Sequence, residues 1–116
     1  MAILHNRTTR NILAYQIDVV AAHAERPTAS RRAEPFEGSW LERCHAVHSL
    51  GNRASVDLVF LDRDLQVVRL QHAVRPGRAL VWCRGATSVL EMRTGFLATC
   101  DLLVGDQLAF EAAQSA

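Results

Sequence analysis

Apolar and polar positions alternate in short bursts along this chain, and the bursts are separated by Gly, Pro and Asp rather than by long polar linkers. The most apolar burst, Val56-Asp-Leu-Val-Phe-Leu61, holds a single polar residue, Asp57, and so predicts a strand buried on both faces. A polar cluster, His48-Ser-Leu-Gly-Asn-Arg-Ala-Ser55, runs straight into it, which makes Val47 to Asp62 the stretch around which the chain is organised. Upstream, Ile12 to Ala22 is rich in β-branched residues, with Leu13, Tyr15, Ile17 and Val19 at period two, and reads as the first strand. Pro27 can stand in the first turn of a short helix that Pro35 stops, which predicts helix near residues 26 to 33. Phe36-Glu-Gly-Ser39 reads as a loop, after which Trp40 and Leu41 resume apolar structure.

Downstream, Asp62-Arg-Asp-Leu65 separates two strand-like runs as a hairpin turn, and Gln66 to Val74 supplies the partner strand. In that partner, Val68, Leu70 and Val74 share one face by period two, and Val67, Arg69, Gln71 and Ala73 the other. Arg75-Pro-Gly-Arg78 is a turn, and Ala79 to Trp82 a short strand. Ala86 to Met92 fits a strand or one helical turn, and Gly95 ends it. Phe96 to Leu103 is apolar with a short turn, and Gly105-Asp106 opens a last strand, Gln107 to Glu111. Residues 1–11 and 112–116 read as flexible termini around a single domain over 12–111. The pattern predicts a mainly β fold, α+β at the margin: a small antiparallel jelly-roll-like sandwich or partly open barrel with one short N-terminal helix.

Composition narrows this without redirecting it. At 116 residues the chain can bury a sizeable core, and 49% hydrophobic with 22% charged residues are globular values. A formal charge of +1 argues against a nucleic-acid binder, and all 13 basic residues are Arg. No apolar run reaches the roughly 20 residues of a membrane helix, and Met1-Ala-Ile-Leu-His lacks the features of a signal peptide. A soluble cytoplasmic protein, monomer or weak homodimer, is the expectation. The odd cysteine count, Cys44, Cys83 and Cys100, without C-x-x-C, points to free thiols.

Two constellations offer chemistry. Cys44-His45-x-x-His48 has metal-ligand types, but on a strand Cys44 and His48 lie about 13 Å apart and His45 points away. No metal, no cofactor and no catalytic residue is assigned from it. The second is His48, Arg53, Asp57 and Glu91, a polar set in apolar company. A carboxylate such as Asp57 is stable there only when paired or hydrogen-bonded. Arg53 is one partner for Asp57, and backbone amides of a neighbouring loop are the alternative. Gly95 and Gly105 suit turns of unusual φ, with Asp106 as a cap. Trp40 and Trp82 serve either a core or a sugar-stacking surface.

The run Trp40-Leu-Glu-Arg-Cys-His-Ala-Val-His-Ser-Leu-Gly-Asn-Arg-Ala-Ser-Val-Asp-Leu-Val-Phe-Leu-Asp62 resembles the signature of domain-of-unknown-function family 192, DUF192. That signature has a Cys, a Val-His-Thr step, a Met-Arg pair and an Ile-Asp leading into a strand. Arg75-Pro-Gly-Arg78, Ala86 through Val89-Leu-Glu91 to Gly95, and Gly105-Asp106 follow in the same order. The resemblance implies a compact, mainly β, jelly-roll-like domain and no assigned reaction, cofactor or substrate; exported and envelope-associated members suggest an accessory role in envelope or pilus assembly by analogy. This chain is a divergent member, with Asn52, Ala54-Ser55 and Leu65 replacing the family's Met, aromatic-Pro pair and turn Gly. Positive φ at Leu65 costs roughly 1 to 2 kcal/mol, so the reading expects another turn type or αL backbone shifted to Asp64. The leading functional expectation is a non-catalytic small-ligand-binding or protein-interaction module. A hydrolase or transferase using His48 with a carboxylate is the alternative, and an assembly component the third.

Overall fold

The computed structural model describes residues 1–21, 36–44, 46–47, 54–77 and 81–112. Within them the strands are β1 (Ala2–Asn6), β2 (Asn11–Val20), β3 (Gly38–Leu41), β4 (Ala46–Val47), β5 (Val56–Leu61), β6 (Val67–Val74), β7 (Val81–Trp82), β8 (Ser88–Arg93) and β9 (Leu108–Ala112). One short helix, α1 (Phe96–Thr99), lies between β8 and β9. Seven strands form one sheet in the order β6-β5-β8-β3-β2-β1-β9, and β4 pairs with β7 in a separate ribbon. The two edges of the large sheet meet at one end. Gln66 bridges Gln107, Val67 N–H donates to Asp106 O at 2.9 Å, and Leu108 N–H donates to Leu65 O at 2.9 Å. The sheet is thereby curled into a partly open barrel, and the mainly β expectation holds.

Curling gives the sheet an inner and an outer face, and the cores divide accordingly. The inner cluster gathers Leu4, Ile17, Val59, Leu61, Leu90, Met92, Leu97 and Leu108. The outer cluster gathers Val56, Leu58, Phe60 and Val89 beneath Val47 and Val81 of the β4–β7 ribbon. Strand β5 lies between the two clusters, so all six of its residues are buried, as its run of apolar residues, broken only by Asp57, predicts. The register sets Val59 beside Leu90 and Phe60 beside Val89, and β8 is buried at every position but Arg93.

Several expectations are corrected. The leader over 1–11 contains β1, paired with β2 on one side and β9 on the other, with Ala2, Leu4 and Asn6 all buried. Its alternate positions face the core, but the strand is too short to show a convincing period in sequence. Gly38 and Ser39, read as loop, belong to β3, which runs parallel to β2 while every other strand pair is antiparallel. The face assignment of β6 fails because its register with β5 shifts twice. Val67 and Leu70 meet the inner cluster, while Val68 and Val74 join the outer one. The helix expected near 26 to 33 lies outside the described residues.

Leu65 itself takes the left-handed backbone, with φ 63°. The turn is held from two sides. Asp62 Oδ1 accepts the amides of Asp64 at 2.9 Å and Gln66 at 3.0 Å, and Leu65 N–H donates to Asp62 O at 3.0 Å. The Leu65 side chain packs on the inner cluster, and burying it offsets the strain of about 1 to 2 kcal/mol.

Gly38 shows why β3 can lie so close to β8. A Cβ at this position would stand 2.6 Å from Glu91 O and collide with the Met92 side chain. Strand β8 is pinned by β5 on its far side and cannot retreat. Gly38→Ala is therefore expected to destabilise the fold by about 1 to 3 kcal/mol, read as a lower midpoint in urea at unchanged slope.

Candidate functional site

Asp57 is 2% exposed and faces the inner cluster beside Met92. Its Oδ1 accepts the Ala73 amide at 2.8 Å and its Oδ2 the Leu97 amide at 2.9 Å. Both amides are ones the sheet cannot serve. Ala73 is the extra residue of a bulge in β6, at φ 47°. Leu97 lies in the first turn of α1, where a helix leaves amides unpaired and the N-cap residue Gly95 has no side chain to offer. Gly95 carries φ 96°, which lets β8 turn into α1 and presents the Leu97 amide to Asp57. Of the two partners open to Asp57 in sequence, backbone amides are the ones observed.

Glu91 is also buried, at 3% exposure, but on the opposite face. The register places it beside Ser39 of β3 and Leu58 of β5, and Ser39 beside Asp18 of β2. Asp57 and Glu91 thus stand on different sides of one sheet and do not converge. His48 and Arg53 fall in the connection from β4 to β5, outside the described residues. Among the described residues, the buried Ser39 hydroxyl meets no hydrogen-bond partner.

The remaining candidates resolve one by one. Trp40 stacks on Phe110 inside the barrel, with ring centroids 3.9 Å apart, whereas Trp82 is 52% exposed on β7. The pair builds no sugar-stacking surface. Asp106 Oδ2 accepts the Leu103 amide at 3.0 Å and the Asn6 side-chain amide at 2.9 Å, and Gly105 before it has φ 96°. Cys44 is buried and its thiol donates to Ala46 O at 3.0 Å. Burial pushes the Cys100 thiol up from its ordinary value, which keeps it protonated at neutral pH and unsuited to attack. Among the described residues, no three His, Cys, Asp or Glu side chains are grouped to hold a metal.

Two features are absent from the sequence reading. Glu37 Oε2 accepts the amides of Tyr15 at 2.7 Å and Gln16 at 2.9 Å, where the β1–β2 register slips. An acidic residue in a segment read as loop gave no signal of this. The other is an open groove of about 680 Å³ lined by His5, Arg7, Arg10, Asn11, Ile12 and Glu111. It is built by the β1–β2 hairpin and β9, and the reading of residues 1–11 as a flexible terminus removed β1 and the hairpin loop from consideration.

The family model DUF192, described as "Uncharacterized ACR", matches residues 36–110. The chain belongs to the DUF192 family. Two solved structures share its fold. One, a protein of unknown function from Novosphingobium aromaticivorans, is 18% identical with TM-score 0.73, covering 93% of this chain and 82% of that one. The other, from Sinorhizobium meliloti and named only provisionally as a transcription regulator, is 15% identical with TM-score 0.75, covering 94% and 91%. No curated protein matches the chain. Within this DUF192 chain, Asp57 is read as the tie between bulge and helix. Asp57→Ala would leave two amides unserved, at about 1 to 3 kcal/mol each, and is expected to lower Tm by about 10 °C or more. An unchanged melting temperature would refute the tie.

Proposed function

We propose that this DUF192 chain is a non-catalytic binding module in which the buried carboxylates hold the fold and recognition falls to the rim of the barrel. The observation that carries this reading is Asp57, whose two oxygens are both engaged by backbone amides in the inner core. A general base needs a carboxylate or imidazole within reach of a proton on substrate, and Asp57 is neither exposed nor uncommitted. Glu91, on the other face, is buried and engaged as well. The groove at the β1–β2 hairpin is, by contrast, open, lined by charged and polar residues together with Ile12 and Ala109, and large enough for a small ligand.

The competing reading, a hydrolase or transferase using His48, makes a different demand. It requires turnover that His48 controls. An accessory role in an assembly draws support from one place, the adjacent Leu103 and Val104, which are 65% and 61% exposed.

A heteronuclear NMR titration separates the first two. Inorganic phosphate, acetate, ethanolamine and glucose are added in turn, and phosphate esters are incubated with the protein at high concentration. The binding module predicts saturable shifts for residues 5–12 and 109–111 with at least one probe, and esters recovered intact. Ester cleavage that disappears in His48→Gln at unchanged Tm would replace it with the enzyme reading.

A further inference from the structure

The groove has a charge pattern that names its ligand class. Strand β1 ends at Asn6, which pairs with Asn11 at the start of β2, so the hairpin loop is Arg7-Thr8-Thr9-Arg10. An arginine therefore stands at each end of the loop, and both line the groove. Neither guanidinium has an ion-pair or hydrogen-bond partner among the described residues. The one acidic side chain in the lining, Glu111, is already engaged: its Oε2 lies 2.7 Å from His5 Nε2.

The loop is also stiff. Asn6 Oδ1 accepts the amides of Thr8 at 3.1 Å and Thr9 at 3.4 Å. The Arg7 amide donates to Gln107 O at 2.7 Å, and the Gln107 amide donates to Thr8 Oγ1 at 2.8 Å, which ties the loop to the start of β9. Arg10 holds a left-handed backbone, φ 62°, that a residue with a side chain adopts reluctantly. Rooting two flexible side chains on a fixed loop lowers the ordering cost of closing them on a shared ligand. Ile12 adds an apolar wall on the same side.

We propose that the groove between the β1–β2 hairpin and β9 binds a small organic anion, a phosphate- or carboxylate-bearing molecule, clamped between Arg7 and Arg10. This rests on the binding-module reading and deepens it by naming the ligand class. A guanidinium presents a planar fork of donors that matches either oxyanion. A cationic ligand would face two positive side chains and a carboxylate already turned toward His5. Apart from Ala109, every residue of the lining lies outside the span matched by the DUF192 model, so the site is a property of this chain rather than of the matched segment.

The test is an NMR titration of the full chain at constant ionic strength, with inorganic phosphate and acetate as anionic probes, glucose as a neutral probe and sodium chloride as the screening control. Saturable shifts at His5, Arg7, Arg10 and Glu111 are expected with phosphate or acetate and not with chloride. The phosphate arm against the acetate arm tells which oxyanion is preferred. The double variant Arg7→Gln, Arg10→Gln keeps both stems and the strained backbone, and is expected to weaken binding at least about tenfold at unchanged Tm. Glu111→Gln removes the opposing charge and is expected to tighten it roughly twofold to fivefold. Saturable shifts with glucose alone would overturn the anion assignment while leaving the binding module standing. Silence from every probe, or anion shifts that the double variant leaves intact, would overturn the site itself.

Discussion

The amides of Ala73 and Leu97, neither of which a β-ladder can serve, meet at the carboxylate of Asp57. Continued at period two from Leu70, β6 would point Val74 into the inner cluster; the bulge at Ala73 turns it to the outer cluster opposite Val56. The same carboxylate seats the first turn of α1, which places Leu97 among the inner apolar side chains. One side chain thus sets both the path of the edge strand and the position of the helix. An apolar residue at 57 would suit the burial and supply neither bond.

The same device recurs at three other places where the backbone leaves its regular course. Glu37 takes the amides of Tyr15 and Gln16 where β2 slips against β1. Asp62 takes those of Asp64 and Gln66 around the strained Leu65. Asp106 takes the Leu103 amide and the Asn6 side chain where β9 begins. A buried amide without a partner is costly, and a carboxylate accepts two donors while tolerating irregular spacing better than a ladder does. At least four of the chain's 12 acidic residues, all among the described residues, are committed in this way, which leaves fewer for chemistry than the composition suggests.

How much was legible follows from this. Strand β5 and the turn after it were plain, because the apolar run, broken only by Asp57, and the turn sequence Asp62-Arg-Asp-Leu65 are local signals. The choice of backbone amides for Asp57 was open in sequence, since its partners lie 16 and 40 residues away. Faces of β2 and β6 were not legible, because each bulge resets a period-two count; hence Tyr15 is exposed and Ile17 buried although both fall in one alternation. The positive φ at Leu65 was missed because the compensating bonds come from Asp62, and the packing from a cluster that forms only when the sheet curls. Asp57 and Glu91 looked like one site because both interrupt apolar runs. Only the register shows that they face opposite ways.

Where recognition can sit follows from the same geometry. Strands β5 and β8 have both faces covered over most of their length, so Asp57 and Glu91 are enclosed and must be satisfied by the protein itself. The strand ends are different: at the β1–β2 hairpin the ladder stops, and Arg7 and Arg10 are exposed to water. A fold that uses its acidic groups on its own backbone leaves basic groups over at such rims, even at a net charge of only +1. The separation of a carboxylate-tied interior from an arginine-bearing rim therefore comes from the way the sheet is closed.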